Sequence, residues 1–477
     1  MAFVDLKFVD KAITVPSSVL SQGEVVIAVG IGRGANHQMI GRDKLTVVDL
    51  FAGCGGLSLG LEQAGFSPIY VNELSNDARE TFLVNRDRAY PLLRSKYFSA
   101  NIQELTSKPA ALGDLLDGFR RDYGLRGKFP VDLVVGGPPC QGYSSVGLRR
   151  SYNIDKHFIP SNHLYRDMAK FIAGVRPKAF IFENVAGLLS SRWTKDGVNG
   201  EIFKDVLKTF RRLEGYTVKH SLIYSKDYGV PQSRPRVLIV GFRSKLYEGT
   251  SGDDDALAGG FLPLGSGRYP DLVDVLSDLA DPSFTYGGKS DRYFSSPRSQ
   301  FQERMRTDTR DVPTFQRMVL REHEYSNHSR QTQNKFKHMI ENSGRIHYTH
   351  LTKKFNQRLL PEKWGSSGPN ITITSLPDDF VHYELARSLT VRECARIQTF
   401  PDWYEFRGPR TTGGLRRAGN PHEGNFTRNL PKYTQIANAV PPDLAEAIGR
   451  HVATIIRSQG RGLVVPPIGM ARRKSVG

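Results

Sequence analysis

The chain has 477 residues, a formal net charge of +18, 39% hydrophobic residues and a mean hydropathy of −0.39. That length accommodates one large domain and a smaller one, and no stretch is apolar for long enough to span a bilayer. Three cysteines, Cys54, Cys140 and Cys394, are too few and too far apart for a disulfide framework. The start, MAFVDLKFVDKAITVPSS, lacks the basic-then-apolar layout of a secretory signal. A reduced, cytoplasmic setting is therefore expected. The charge is uneven: from residue 281 onward 31 Lys and Arg stand against 18 Asp and Glu, an excess of 13 out of the total of 18. A basic half beside a near-neutral half points to a polyanion, nucleic acid before membrane.

Residues 1–44 form an extension without a clear pattern. Within it, EVVIAVGIGRGA has Gly30, Gly32 and Ala35 in dinucleotide-binding spacing. Only about ten residues then separate this loop from the next strand, too few for a crossover helix, which argues against a nicotinamide site. TVVDLF (46–51) reads as a strand that runs into Gly53, Gly55 and Gly56, with a helix directly after. Glycines at such a turn let the backbone approach a cofactor closely. YVNEL reads as the following strand, ending in Glu73, a carboxylate placed to accept the ribose hydroxyls of a nucleoside cofactor.

VDLVV then stops at GGPPC. Each proline fixes its own φ and extends the residue before it, so the stretch describes a stiff exit with Cys140 at the C-terminal edge of a sheet. Ligands of open α/β sheets bind at that edge, and the polar QGYSS that follows favours a nucleophilic thiolate over a structural core cysteine. HLYRDMAKFIAGV places Leu164, Met168, Phe171 and Val175 on one helical face, and FKDVLKTFRRL does the same with Phe203, Leu207 and Phe210. AFIF (179–182) is an apolar strand followed by Glu183 and Asn184, and RVLIVGF (236–242) is another. Gln232, Arg234 and Arg236 stand at alternate positions leading into it, which predicts one shared face. Strands alternating with helices predict an α/β fold with a mostly parallel sheet.

The alternation stops near residue 245. GTSGDDDALAGG reads as a flexible connection, residues 281–345 are polar with little periodicity, and RTTGGLRRAGNPHEGNF is a second glycine- and arginine-rich loop. PPDLAEAIGRHVATIIR then predicts a helix with Leu444, Ile448, Val452 and Ile455 on one face. No internal repeat or metal-ligand spacing stands out.

Taken together, DLFAGCGGLSLGLEQAGF, NEL, GGPPCQGYSS, NHLYRDMAKFI, RPKAFIFENVAGLL, PQSRPRVLIVG, RSLTVRECARIQTFPD and QIANAVPP resemble, in content and order, the C5-cytosine DNA methyltransferases of the prokaryotic restriction-modification type. They reach from Val48 to Pro442; residues 1–44 and the tail lie outside the resemblance, which is thin from 281 to 385. It implies an S-adenosylmethionine-dependent, Rossmann-like catalytic domain at 45–246, a smaller target-recognition domain at 247–429, a C-terminal helix at 430–460 returning to the catalytic domain, and a basic tail at 461–477.

By this resemblance Cys140 attacks C6 of a flipped cytosine, Glu183 engages N3 and the exocyclic amine, and Arg234 and Arg236 steady the base. Phe51, Gly53, Gly55, Glu73, Leu74, Asn101, Pro139, Asn438 and Val440 match cofactor positions, and Gln141, Ser144 and Gln232 match DNA contacts. In two places the chain departs from the pattern. Asn101 stands where an aspartate is usual, and Ala437 where a glycine is usual. The implied partners are double-stranded DNA and a restriction endonuclease with which no stable contact is made, and the implied state is a monomer. Arg304 and Arg317 are candidates to read a guanine or a phosphate. Two rival readings are a tRNA methyltransferase of the same fold, whose Cys-Phe-Thr element is missing here, and a DNA-binding regulator with silent chemistry. The intact set of Cys140, Glu183, Arg234 and Arg236 argues against the second.

Overall fold

The computed structural model describes residues 44–139, 159–244, 254–308, 319–351, 356–411 and 429–458. Cys140, Gln141, Ser144 and Arg317, the extension up to residue 43, the connection from 245 to 253, the loop from 412 to 428 and the tail lie outside the described residues.

The centre is a seven-stranded sheet made of β1 (Leu45–Leu50), β2 (Phe66–Asn72), β3 (Phe98–Ser99), β4 (Leu133–Gly136), β5 (Ala179–Val185), β6 (Tyr216–Tyr224) and β7 (Pro235–Arg243), in the order β3-β2-β1-β4-β5-β7-β6. All neighbours are parallel except β7, which runs antiparallel to both β5 and β6. The expected mostly parallel α/β sheet is thus present. Val47, Val48, Leu133, Val134, Val135, Phe180, Ile181, Ile239 and Val240 are fully buried, as strands covered on both faces require.

Helices α1 (Gly56–Gln63), α2 (Asn76–Val84), α3 (Pro109–Tyr123), α4 (Leu164–Val175) and α5 (Glu201–Arg211) connect these strands. The predicted face of α4 packs into the core; α5 turns Ile202, Val206 and Phe210 inward, with Phe203 and Leu207 only partly buried. Strand β6, YTVKHSLIY, has only a weak alternating signal and is recognisable mainly through its pairing with β7.

After the sheet come α6 (Leu272–Leu276), α7 (Gln300–Arg306), α8 (Arg330–Glu341), the short parallel pair β8 (Arg358–Leu359) and β9 (Phe380–Val381), α9 (Val391–Ile397), α10 (Lys432–Asn438) and α11 (Pro442–Ser458). The described residues all fall in one compact unit. Cys54 and Leu59 share a core with Leu272, Ile373, Ala395 and Ile436. Leu444, Ile448, Val452 and Ile455 are buried on α11, which lies against α1 so closely that a Cβ on Gly60 would sit 2.2 Å from the Pro442 carbonyl oxygen. Among the described residues no helix is long and apolar enough to cross a membrane.

The basic half does not wear all its charge outside. Arg387, Arg392 and Arg396 are completely buried. Arg387 makes a bidentate pair with Glu393 at 2.7 and 2.8 Å, Arg396 is held between Asp278 and Asp402, and Arg392 donates to the carbonyls of Arg321, Pro401 and Tyr404. Arg304, a candidate to read DNA, is bidentate to Asp443 of α11 at 2.7 Å. The RSLTVRECARIQTFPD segment is therefore an internal ionic scaffold, with its arginines turned to buried acids and carbonyls.

Candidate functional site

The sheet order places β1 between β2 and β4, the point where successive crossovers diverge and where open α/β sheets bind ligands. Three strand ends meet there. Beyond β1, Phe51, Gly53 and Gly55 have φ of 57°, 56° and 86°. At Gly55 a Cβ would lie 2.8 Å from Arg86, Phe82 and the Tyr404 hydroxyl, so glycine is required on both conformational and steric grounds. Arg86 donates to the Gly55 carbonyl and Tyr404 to the Cys54 carbonyl, which fixes the loop from below. At Gly53 a Cβ would meet nothing within 4 Å, so this part of the loop borders open space.

Beyond β2, Glu73 accepts from the Gly53 N–H at 2.8 Å and the Ser75 N–H at 2.7 Å. Burial pushes its carboxyl up from the ordinary value, and these backbone donors and Arg79 oppose the shift. Leu74 beside it is 74% exposed, an apolar side chain at the mouth of the loop. Asn101 is exposed and its side-chain oxygen accepts from the Gln103 N–H at 3.0 Å, which leaves one lone pair of that oxygen for a ligand. Pro139 and Asn438 are exposed, while Val440 is buried with its carbonyl against Gly56. Under the loop, burial pushes the Asp49 carboxyl up to about 7, opposed by a hydrogen bond from Ser58 at 2.6 Å.

The exit of β4 meets β5. A Cβ on Gly137 would stand 2.7 Å from Glu183 Oε2, and Asn184 donates to the Pro138 carbonyl at 3.2 Å. Glu183 and Asn184 lie within β5, because the strand runs on to Val185. Glu183 Oε1 is 2.6 Å from Nε of Arg236, with both side chains largely covered. The chain thus brings the Gly-Gly-Pro-Pro exit, Glu183 and Arg236 together at one sheet edge.

Gln232 and Arg234 depart from the expected shared face, because β7 begins only at Pro235 and Arg234 has a φ of 34° that breaks the alternation. Arg234 is buried and donates to the Ala437 carbonyl. Burial, together with the neighbouring Arg236, drives its pKa well below the usual arginine range. Gln232 is fully buried: its amide donates to Ile397 O at 3.1 Å and to the Gln398 side chain, and its oxygen accepts from Ile373 N–H at 3.1 Å. It ties β7 to the C-terminal half. Sequence reasoning passed over Arg86 and Tyr404, whose pairing spans 318 positions and has no local signal.

A family model for C-5 cytosine-specific DNA methylases matches residues 45–454. The chain belongs to the C-5 cytosine-specific DNA methylase family. Among its relatives, the type II methyltransferase M.DdeI of Desulfomicrobium norvegicum is 31% identical over 432 residues, 86% of this chain and 88% of the relative. The type II methyltransferase M1.HphI of Haemophilus parahaemolyticus is 28% identical over 411 residues, 86% of each. In fold the chain is similar to a DNA modification methyltransferase encoded within an E. coli prophage, with a TM-score of 0.60, 20% identity, and coverage of 87% of this chain and 100% of that one. This member of the family is a DNA cytosine-5 methyltransferase.

Proposed function

We propose that this enzyme methylates C5 of a cytosine flipped out of a specific duplex sequence, through a covalent bond from Cys140, as the modification partner of a type II restriction endonuclease. The observation that carries this reading is the Glu183 carboxylate held between Arg236 and Gly137, the latter three residues before Cys140. Burial pushes the other two thiols up, Cys54 to about 12 and Cys394 further, which leaves Cys140 as the candidate thiolate.

A cytosine inside a duplex cannot be reached at C6, so the base must leave the stack. The Cys140 thiolate then adds to C6, and the electron pair moves to C5 as N3 takes a proton from the Glu183 carboxyl. Arg236 keeps that carboxyl oriented. Once C5 carries its methyl group, loss of the C5 proton to a base or water, elimination of the thiolate and return of the N3 proton to the Glu183 carboxylate restore the pyrimidine and free Cys140. Activation of a neutral pyrimidine by a positioned acid is worth about 10²–10⁴-fold.

The cofactor of this reading is S-adenosylmethionine, which supplies an electrophilic methyl group on a sulfonium. The open space at Gly53, the exposed Leu74 and the Glu73 carboxylate fit a nucleoside there. Phe51, Gly53, Gly55, Glu73, Leu74, Asn101, Pro139, Asn438 and Val440 would hold it. Residues 247–429 serve target recognition and 430–460 complete the catalytic part, in a cytoplasmic monomer that makes no stable contact with the endonuclease.

The test is transfer of labelled methyl from S-adenosylmethionine to unmodified duplex DNA, with tRNA alongside and Cys140→Ser as control. Label at C5 of DNA that is absent with the variant supports the reading. Label in tRNA alone, or undiminished transfer by Cys140→Ser, overturns it.

A further inference from the structure

The segment between α8 and β8 stands apart from the buried arginines around it. Among its described residues Arg330, Lys337, Arg345 and Arg358 are exposed, against one acid, Glu341. Within it a single 3-10 turn, Tyr348–His350, presents Tyr348, 77% exposed, and next to it Leu351, 56% exposed. Two large apolar side chains so exposed beside these cations match what duplex DNA offers: phosphates around an apolar stack.

This turn is built rather than loose. Ile346 on one side and Leu359 on the other pack against Phe336, Met339 and Val381. Lys335, buried in α8, sends its ammonium to Gln357 Oε1 at 2.5 Å and to the His350 carbonyl at 3.4 Å, and burial lowers its pKa. His347 packs its ring 4.3 Å from that of Tyr348 and is hydrogen-bonded to Thr349 at 2.7 Å. The turn is also joined to the reaction centre along the chain. From β8 the backbone runs to Ile371 and Ile373, which bond Ser233 N–H at 2.9 Å and the Gln232 oxygen at 3.1 Å, next to Arg234 and Arg236.

We propose that the turn Arg345–Leu351 is a wedge that enters the duplex, with Tyr348 and Leu351 against the bases and Lys335 as the positioning residue that holds the wedge on α8. The inference rests on the activity reading above. Apolar wedges lower the cost of unstacking by covering the bases they separate, and flipping a cytosine has that cost to meet.

The experiment uses the full chain on genomic DNA from a host without cytosine methylation, read by steady-state kinetics and bisulfite sequencing. Tyr348→Ala is expected to lower kcat/KM for DNA about tenfold or more and to change the profile of methylated sites, with KM for S-adenosylmethionine and the melting temperature unchanged. Lys335→Met should raise KM for DNA more than it lowers kcat, and Lys335→Arg should recover part of the loss. A Tyr348→Ala/Leu351→Ala protein with wild-type kcat/KM and site profile would overturn the wedge alone. A wild-type protein that labels no duplex DNA would overturn the activity reading and this proposal with it.

Discussion

Two Glu–Arg pairs in this chain share a chemistry and differ in setting. Glu183 and Arg236 meet at the sheet edge through one oxygen and Nε, with both side chains still partly reached by solvent. Glu393 and Arg387 meet bidentately with neither side chain reached at all. Burial alone would raise the Glu393 carboxyl, yet Arg387 and the nearby His382 hold it well below the usual carboxylate range. The first pair leaves lone pairs for something outside the chain. The second is directed wholly inward, because Glu393 also accepts from the Thr390 N–H and closes the N-terminus of α9. An ion pair open on one side is available for chemistry, whereas one closed on all sides only holds elements in register.

The comparison breaks most sharply at the open site. Cys140→Ser is expected to reduce methyl transfer to below about one ten-thousandth of wild type, and Glu183→Gln to reduce it by about 10²–10⁴-fold. Both should melt within a few degrees of wild type in calorimetry. Trapping on 5-fluorocytosine DNA should give a covalent band with wild type and none with Cys140→Ser. At the closed site the pattern inverts. Arg387→Met leaves a buried carboxylate alone and should cost about 3–5 kcal/mol in denaturant unfolding, with kcat of the folded fraction preserved.

How far the sequence carries depends on the same distinction. The exit at GGPPC, Glu183 and the glycine loop are legible because a strand end declares itself locally, as an apolar run closed by glycine, proline or a charge. Gln232, Arg304 and Arg396 are not, since their partners stand 166, 139 and 118 positions away and nothing near them says whether they face water or protein. A basic count over a half-chain adds buried and exposed arginines alike, so it overstates the surface available to DNA. Strand β6 escapes for a related reason: it is an edge strand defined by its neighbour β7.

Two smaller effects sharpen the contrast. Asp49 is buried beneath the glycine loop with its carboxyl raised to about 7 from 3.8. The folded chain therefore keeps a proton that the unfolded chain releases, and stability falls as pH rises through that window. Asp49→Asn should remove this loss, so its melting temperature should gain on wild type progressively between about pH 4 and pH 7. Arg304→Ala removes an ion pair whose arginine is half in solvent, and should change unfolding free energy by less than about 1 kcal/mol.

The contact between Gly60 and Pro442 joins residues 382 positions apart. At ordinary synthesis rates a ribosome needs roughly 20–80 s to travel that distance. For that interval α1 and its glycine loop lack the surface that covers their other side. The loop is thus synthesised well before it is finished, so the enzyme's working age is counted from the closing of α11.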